Sequence, residues 1–274
     1  MAPSRFKGVY KSTNATPQEK ERYVFTNSHV FWFKNRDDYP TNNFPDPIRK
    51  QITIKHLLIE WVSATIFLIK SIFVEIQRTI GLNYFPGFLS RPDQNVLVDI
   101  LRQITSAAPL YTPQMPKSGK PFSVRMTNCG ELGWVSDKKL GYRYQPKHPV
   151  TNQNWPQIPP MLLSIWDELA NYPHAPEACL INYYGADAKM GLHQDRDEQD
   201  IAAPVLSISL GDTARFRIGG LNRKDPTKSF PLVSGDVLML AGESRLAFHG
   251  IDRILTGTST LLKSGGRINI TMRR

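Results

Sequence analysis

The sequence predicts a mainly β fold with flanking helices, and two observations support that prediction. From Ala178 onward, the chain divides into short β-like segments that are separated by glycine-containing turns. Ahead of this part, three segments carry apolar residues at helical spacing. Many short strands at this spacing are typical of a sandwich or a barrel. The predicted strands are Ala178–Tyr184, Met190–Gln194, Val205–Leu210, Ala214–Ile218, Val237–Leu240, Arg245–His249 and Arg267–Met272.

Two of the predicted helices directly precede the β-rich part of the chain. Gln94–Ala107 has one apolar face, and Ser90 just ahead of it is a residue type that favours helix starts. Pro92 and Asp93 suit the first turn of this helix. The second helix is predicted over Met161–Asn171, where the same apolar spacing returns.

The first 80 residues are predicted to be an extension ahead of one larger domain, residues 81–274. Residues 1–50 are polar and irregular, which predicts a poorly ordered segment. Residues 52–76 have helical apolar spacing, but their longest uncharged run, Trp61–Ile69, is far shorter than the roughly 20 residues of a membrane span. An amphipathic helix is favoured there, and a membrane-surface or partner-binding helix is the alternative. Residues 110–160 are rich in proline, glycine and aromatics, which predicts long loops.

The composition is that of a soluble globular protein with a basic surface. The net charge is +10, from 34 Lys+Arg against 24 Asp+Glu, which suits a polyanionic partner such as nucleic acid or an anionic membrane. Cys129 and Cys179 form no CxxC pair and are interpreted as small core residues in a reducing compartment. The N-terminus has no secretory signal, and we expect a cytoplasmic protein.

A metal site is predicted from one short motif and one distant histidine. His193 and Asp195 are two residues apart, so on an extended strand both side chains emerge on one face. His249 is the best candidate for a third ligand. Two histidines and one carboxylate form the facial triad of non-haem iron oxygenases, which leaves coordination positions open. The other histidines are interpreted as surface or packing residues: His29, His56, His148 and His174.

A second polar constellation is predicted near the C-terminus, where polar and apolar residues alternate. On a strand, Arg267, Asn269 and Arg273 face one side. Two guanidinium groups beside an amide suit a dicarboxylate, because arginine binds carboxylates through paired hydrogen bonds. Asn182 and Tyr184 alternate in the same way on the strand before the metal motif. The alternative is a solvated edge strand with a basic tail.

From about Phe85 to its end, the chain resembles the AlkB-type alkylation-repair dioxygenases. The segments that carry the resemblance are Gly133–Trp134, Gly141–Tyr144, Leu180–Tyr184, Leu192–Glu198, Gly242–Arg245 and Arg267–Arg273. The resemblance implies a double-stranded β-helix, or jelly-roll, fold. It implies that Fe(II) is bound by His193, Asp195 and His249, with 2-oxoglutarate and O2 as co-substrates. The residues implied to bind 2-oxoglutarate are Asn182, Tyr183, Tyr184, Arg267, Asn269 and Arg273.

The resemblance also implies a pocket for a base. Its implied residues are Trp134, Tyr142, Arg143, Tyr144, Asp197 and Arg223. N1-methyladenine and N3-methylcytosine are cationic, so an aromatic face attracts them and a carboxylate distinguishes them from the neutral parent bases. A lesion is poorly paired and costs little to flip out of the stack.

The function implied by the resemblance is therefore oxidative dealkylation of N-alkylated bases in DNA repair, which releases formaldehyde and succinate. The expected partner is single-stranded or flipped-base DNA, with RNA also open, and the expected state is a monomer. One alternative is the same chemistry on RNA, on protein or on a small molecule. Another is a nucleic-acid-binding module without catalysis, which a missing metal ligand would have favoured.

Overall fold

A computed structural model of the protein describes residues 22–25, 30–33 and 82–274. The first two stretches form an antiparallel pair, β1 (Arg22–Phe25) and β2 (Val30–Phe33), which was not among the predicted strands. This pair lies in a different compact unit from residues 82–274. The amphipathic helix predicted over residues 52–76 lies outside the described residues.

Residues 82–274 form two antiparallel sheets, a separate hairpin and two helices. The six-stranded sheet has the order β3-β12-β9-β14-β7-β4, and the four-stranded sheet has the order β11-β10-β13-β8. The strands are β3 (Asn83–Phe85), β4 (Val124–Gly130), β5 (Gly133–Asp137), β6 (Gly141–Gln145), β7 (Ala178–Tyr184), β8 (Met190–His193), β9 (Val205–Gly211), β10 (Thr213–Ile218), β11 (Lys228–Leu232), β12 (Val237–Leu240), β13 (His249–Leu255) and β14 (Arg267–Arg273). The helices are α1 (Arg91–Ala107) and α2 (Pro160–Leu169).

The chain passes back and forth between the two sheets from β7 to β14, with only β10 and β11 adjacent in one sheet. Apolar side chains of both sheets pack against each other, including Tyr184, Phe216 and Leu238. Two packed antiparallel sheets with alternating connections define a jelly roll. The predicted fold class is confirmed.

Both helices cover the outer face of the six-stranded sheet. Helix α1 begins at Arg91, three residues before the predicted range, and the predicted cap Ser90 accepts a hydrogen bond from the backbone N–H of Asp93. Helix α2 ends at Leu169, two residues before the predicted end. Cys129 and Cys179 are fully buried beneath the helices, in agreement with their interpretation as core residues.

The alternation predicted for the C-terminal strand determines which residues reach the interior between the sheets. Ile270 and Met272 of β14 pack in the core beneath the helices. Arg267, Asn269 and Arg273 therefore point to the opposite face, toward the four-stranded sheet. Strand β14 is central, with β9 and β7 as its neighbours, so the alternative of a solvated edge strand is wrong.

Several predictions of secondary structure are wrong, and one is β3, which lies where residues 81–87 predict a turn. Residues 110–160 were predicted as loops, but they contain β4, β5 and β6, whose glycine and aromatic residues obscure the strand pattern. Strand β13 begins at His249 and not at Arg245, because residues 242–244 form a tight helical turn that Arg245 ends. Strand β11 was missed because it contains Pro231, which an edge strand tolerates.

Among residues 82–274, no helix has the length and apolar character that crossing a membrane requires.

Candidate active site

The three predicted metal ligands lie close together where β8 pairs with β13. The strand pairing sets His193 directly opposite His249, and Asp195 follows two residues after β8 ends. Nε2 of each imidazole lies 3.6 Å from an oxygen of Asp195, Oδ1 for His193 and Oδ2 for His249. The ligand atoms of all three residues lie within 4.8 Å of one another, so they can share one ion. Two imidazoles and one carboxylate are the donor set of a non-haem iron centre.

Each histidine is held with its metal-facing nitrogen free. Nδ1 of His193 lies 2.9 Å from the carbonyl oxygen of Gly191, and Nδ1 of His249 lies 2.9 Å from that of Ala247. A carbonyl only accepts hydrogen bonds, so Nδ1 carries the proton and Nε2 presents its lone pair. Burial, together with the neighbouring His249, lowers the pKa of His193 to about 4, so this ring is neutral at neutral pH, as a metal ligand must be.

Asp195 is 5% exposed, and a guanidinium group fixes its ionised form. Burial alone would raise its pKa, but Arg273 and the two imidazoles outweigh burial and hold that pKa well below its usual range. Arg273 Nη2 donates to Asp195 Oδ1 over 2.8 Å. The carboxylate is therefore charged and oriented before any ion binds.

A cavity of about 540 Å³ opens between the two sheets at the metal triad. The predicted residues that line it are His193, Asp195 and His249, then Asn182, Tyr184, Arg267, Asn269 and Arg273, and finally Trp134, Tyr142, Asp197 and Arg223. The cavity thus brings the metal ligands, the predicted anion residues and the predicted base residues to one space. A cavity of this volume is suited to a small ligand.

Arg267 provides an anion site at the inner end of this cavity. Its side chain is 0% exposed, and its Nη2 donates to Ser209 Oγ over 2.8 Å. Its Nε and Nη1 have no hydrogen-bond partner within the protein. A buried guanidinium with unpaired N–H groups fits an anionic ligand such as a carboxylate. The donor set therefore fits one carboxylate of 2-oxoglutarate.

Two further side chains that line the cavity with Arg267, Tyr184 and Asn269, differ in whether they can donate a hydrogen bond to a ligand. Burial raises the pKa of Tyr184 to about 12, although Arg267 opposes the shift, so the phenol stays protonated and can donate to a ligand oxygen. Asn269 is already engaged, because its Nδ2 donates to Ser207 Oγ over 2.7 Å.

Arg273 is less available to an anion than the sequence suggested. Its Nη1 donates to Glu198 Oε1 over 2.9 Å, and its Nη2 donates to Asp195. Only Nε lacks a partner. The main role visible for Arg273 is to join two buried carboxylates, while Arg267 carries the unpaired positive charge.

Three predicted site residues do not line the cavity. Tyr183 lies on the opposite face of β7, where its hydroxyl donates to the carbonyl oxygen of Gly265 over 3.4 Å. Arg143 is bound to Asp137, with Nη1 2.7 Å from Oδ2. Tyr144 donates from its hydroxyl to Glu198 over 2.6 Å. The strand alternation explains Tyr183 and Arg143, since each lies between two residues that face the other side.

The predicted base pocket has an aromatic wall and one carboxylate. The rings of Trp134 and Tyr142 stack with centroids 5.4 Å apart at 23°. Trp134 Nε1 donates to Asp197 Oδ2 over 2.9 Å. Arg223 Nη1 donates to the carbonyl oxygen of Leu192 over 2.6 Å, which ties it to β8 beside the metal ligand. The aromatic wall and the carboxylate therefore lie at the mouth of the metal cavity.

Sequence reasoning missed the roles of two buried charged residues. Glu198 and Arg245 are 7% and 3% exposed, and Arg245 Nη2 donates to Glu198 Oε2 over 3.1 Å. Both residues lie within segments that carry the family resemblance. The sequence around each one does not indicate that they are buried together, because they are 47 residues apart. His148 packs as expected, since its Nε2 contacts the Pro109 carbonyl and its Nδ1 accepts from the backbone.

The fold and the metal triad define a class of protein, the jelly-roll oxygenases with a mononuclear metal site. The family model described as the 2OG-Fe(II) oxygenase superfamily matches residues 81–273. A Caulobacter vibrioides protein named alpha-ketoglutarate-dependent dioxygenase AlkB homolog is 54% identical over 71% of this chain and 87% of its own length. The Escherichia coli dioxygenase AlkB is 42% identical over 65% of this chain and 83% of its own length.

The solved structure of OsALKBH1 superposes with a TM-score of 0.63 at 30% identity, over 71% of this chain and 96% of that one. The chain belongs to the AlkB-type branch of the 2OG-Fe(II) oxygenase superfamily. It is a 2-oxoglutarate-dependent dioxygenase, and its cofactors are Fe(II), 2-oxoglutarate and O2.

Proposed function

We propose that this dioxygenase removes small alkyl groups from N-alkylated bases of nucleic acid, with N1-methyladenine and N3-methylcytosine as its substrates. The observation that carries the proposal is the position of the Trp134–Asp197 pair, which lies at the mouth of the cavity that the metal triad faces. Membership of the AlkB-type branch supports a nucleic-acid substrate.

The metal chemistry is supplied by the bound cofactors. Iron(II) with 2-oxoglutarate and O2 supplies the oxidising power to hydroxylate an N-alkyl carbon, after which the product separates into formaldehyde and the restored base. His193, Asp195 and His249 would hold the iron. Arg267 would hold one carboxylate of 2-oxoglutarate through its unpaired N–H groups, and the protonated Tyr184 would donate to the same ligand.

The base pocket would select for positive charge. Trp134 and Tyr142 offer an aromatic wall, which attracts a cationic ring through cation–π interaction. Asp197 is exposed, so solvent weakens its field until a base covers it. The covered carboxylate would favour a methylated, cationic base over the neutral parent base.

The remaining proposals concern the form of the substrate and of the protein. A flipped or single-stranded lesion is the form that can reach an enclosed metal site, and the net charge of +10 supports binding to a phosphate backbone. DNA and RNA both fit these features. We propose a monomer that acts in the cytoplasm, with residues 81–274 as its catalytic domain and residues 1–80 as an extension, which the range of the family match supports.

The test is mass spectrometry of single-stranded DNA and RNA oligonucleotides that carry N1-methyladenine or N3-methylcytosine. The oligonucleotides are incubated with the full chain, iron(II), ascorbate and 2-oxoglutarate. The proposal expects conversion of the methylated bases to unmodified bases. Intact lesions in both nucleic acids, with 2-oxoglutarate consumed, would point to a protein or small-molecule substrate. Intact lesions without consumption would point to a binding module.

A further inference from the structure

Glu198 is a buried carboxylate that does not line the cavity. It accepts hydrogen bonds from three side chains, and one of them, Arg273, lines the cavity. Its Oε1 accepts from the Tyr144 hydroxyl at 2.6 Å and from Arg273 Nη1 at 2.9 Å. Its Oε2 accepts from Arg245 Nη2 at 3.1 Å. These partners come from β6, from the end of β14 and from the turn before β13. Glu198 thus joins three separate parts of the fold.

Through the two arginines, Glu198 reaches the metal ligand Asp195 twice. Arg273 divides its fork between the two carboxylates, with Nη1 on Glu198 and Nη2 on Asp195 Oδ1 at 2.8 Å. Arg245 Nη1 donates to the backbone oxygen of Asp195. Asp195 is therefore fixed at its side chain and at its backbone by groups that Glu198 orients. Both carboxylates and both guanidinium groups are buried. The two negative charges are balanced by the two positive ones, as buried charges require.

Tyr144 connects this cluster to the lid hairpin, by which we mean residues 133–145 of β5 and β6. Tyr144 is the cross-strand partner of Trp134 in this hairpin. Trp134 binds Asp197, and Tyr144 binds Glu198, the next residue along the chain. The hairpin that carries the aromatic wall is therefore anchored at two adjacent residues that follow the metal ligand.

We propose that Glu198 is a positioning residue, which orients the metal ligand Asp195 through Arg273 and Arg245. Because Tyr144 donates to Glu198, the orientation of Asp195 also depends on the position of the lid hairpin. The inference deepens the proposed function and rests on it only in assigning the hairpin to the base pocket. One chain of hydrogen bonds connects the metal ligand to the lid hairpin. Metal binding and lid position are therefore coupled, and the coupling free energy is the same in both directions.

The first test measures Mn(II) affinity of the full chain, by electron paramagnetic resonance of the free ion. Groups that orient a metal ligand typically change metal affinity by about 10–100-fold, which is the loss expected for Glu198→Gln. Tyr144→Phe removes one hydrogen bond without unpairing a buried charge and should weaken Mn(II) binding by about fivefold. Tyr172→Phe removes a comparable hydroxyl–carboxylate bond, to Asp200, away from the cavity and should bind as wild type.

Far-ultraviolet circular dichroism and melting would show that each variant is folded. Unchanged Mn(II) affinity in folded Glu198→Gln, or in Tyr144→Phe, would overturn the inference. So would equal losses in Tyr144→Phe and Tyr172→Phe, because a general loss of stability would then explain them.

The second test measures hydrogen–deuterium exchange of the lid hairpin when Mn(II) and 2-oxoglutarate are added. Exchange at residues 133–145 should slow in wild type and in Tyr172→Phe, and it should slow clearly less in Tyr144→Phe, which keeps only the Trp134–Asp197 bond. The same slowing in Tyr144→Phe would overturn the link to the lid. Neither test contains nucleic acid. If the protein leaves methylated bases intact, the proposed function is contradicted, but this inference is not.

Discussion

The indole of Trp134 donates a 2.9 Å hydrogen bond to the carboxylate of Asp197, two residues beyond the metal ligand Asp195. This bond places an aromatic face and a negative charge together at the mouth of the metal cavity. The pair is suited to a flat, cationic ring. It also joins the hairpin of β5 and β6 to the segment after β8 that carries the metal ligand Asp195.

The first prediction concerns charge selectivity. Asp197→Asn keeps the size of the side chain and removes its charge, so it should reduce kcat/KM for N1-methyladenine and N3-methylcytosine more than for the neutral N3-methylthymine. The charge contributes most where water is excluded, and we expect a difference of about tenfold, or 1.4 kcal/mol. The measurement is kcat/KM on matched single-stranded oligonucleotides. Equal losses on cationic and neutral lesions would show that Asp197 shapes the pocket without recognising charge.

The second prediction concerns the metal. Asp195→Asn should abolish turnover and Mn(II) binding, because it removes the anionic ligand that Arg273 orients. Asp195→Ala should in addition lower the melting temperature, since it leaves Arg273 with one carboxylate partner in place of two. Asp252→Asn, a partly exposed aspartate of β13 outside the cavity, is the control. Consumption of 2-oxoglutarate by Asp195→Asn at the wild-type rate would refute the assignment.

The third prediction concerns the co-substrate. Arg267→Ala should weaken 2-oxoglutarate binding by about 2–5 kcal/mol, the cost of losing one partner of a buried charged pair. Isothermal titration calorimetry with Mn(II) present measures this affinity directly. Arg253→Ala, which removes an exposed arginine from β13, is the control. If the affinity is unchanged in Arg267→Ala, the carboxylate site lies elsewhere in the cavity.

The fourth prediction concerns the backbone between the two histidine strands. A Cβ at Gly250 would lie 2.6 Å from the carbonyl oxygen of Met190, so Gly250→Ala should separate β13 from β8 and pull His249 away from His193. Weakened Mn(II) binding and a lower melting temperature are expected. Gly191→Ala is a close control, because nothing lies within 4 Å of its added Cβ. Similar Mn(II) affinities in the two variants would show that the strand contact is not what aligns the histidines.

The sequence was sufficient to predict the parts of the site that follow strand alternation. The spacing of His193 and Asp195 places both on one face of an extended segment, and the register of β8 with β13 adds His249. The alternation along β14 likewise separates Arg267 from Ile270. A period of two residues is a local property, so it can be seen without the fold.

The sequence was insufficient where a residue's role depends on distant partners. Glu198 looks like a solvated charge, and its burial depends on arginines 47 and 75 residues away. The strands within residues 124–145 were missed because glycine and aromatic residues obscure their alternation. The distant partners of Glu198 likewise leave no periodic signal.

The central claim is that the metal site oxidises an N-methyl group of a base, and product stoichiometry tests it most directly. Formaldehyde and succinate are measured together, with a single-stranded oligonucleotide carrying N1-methyladenine as the substrate and Asp195→Asn as the control. We predict one formaldehyde and one restored adenine for each succinate formed by wild type, and none by the variant. Succinate formed while the methylated base stays intact would contradict it.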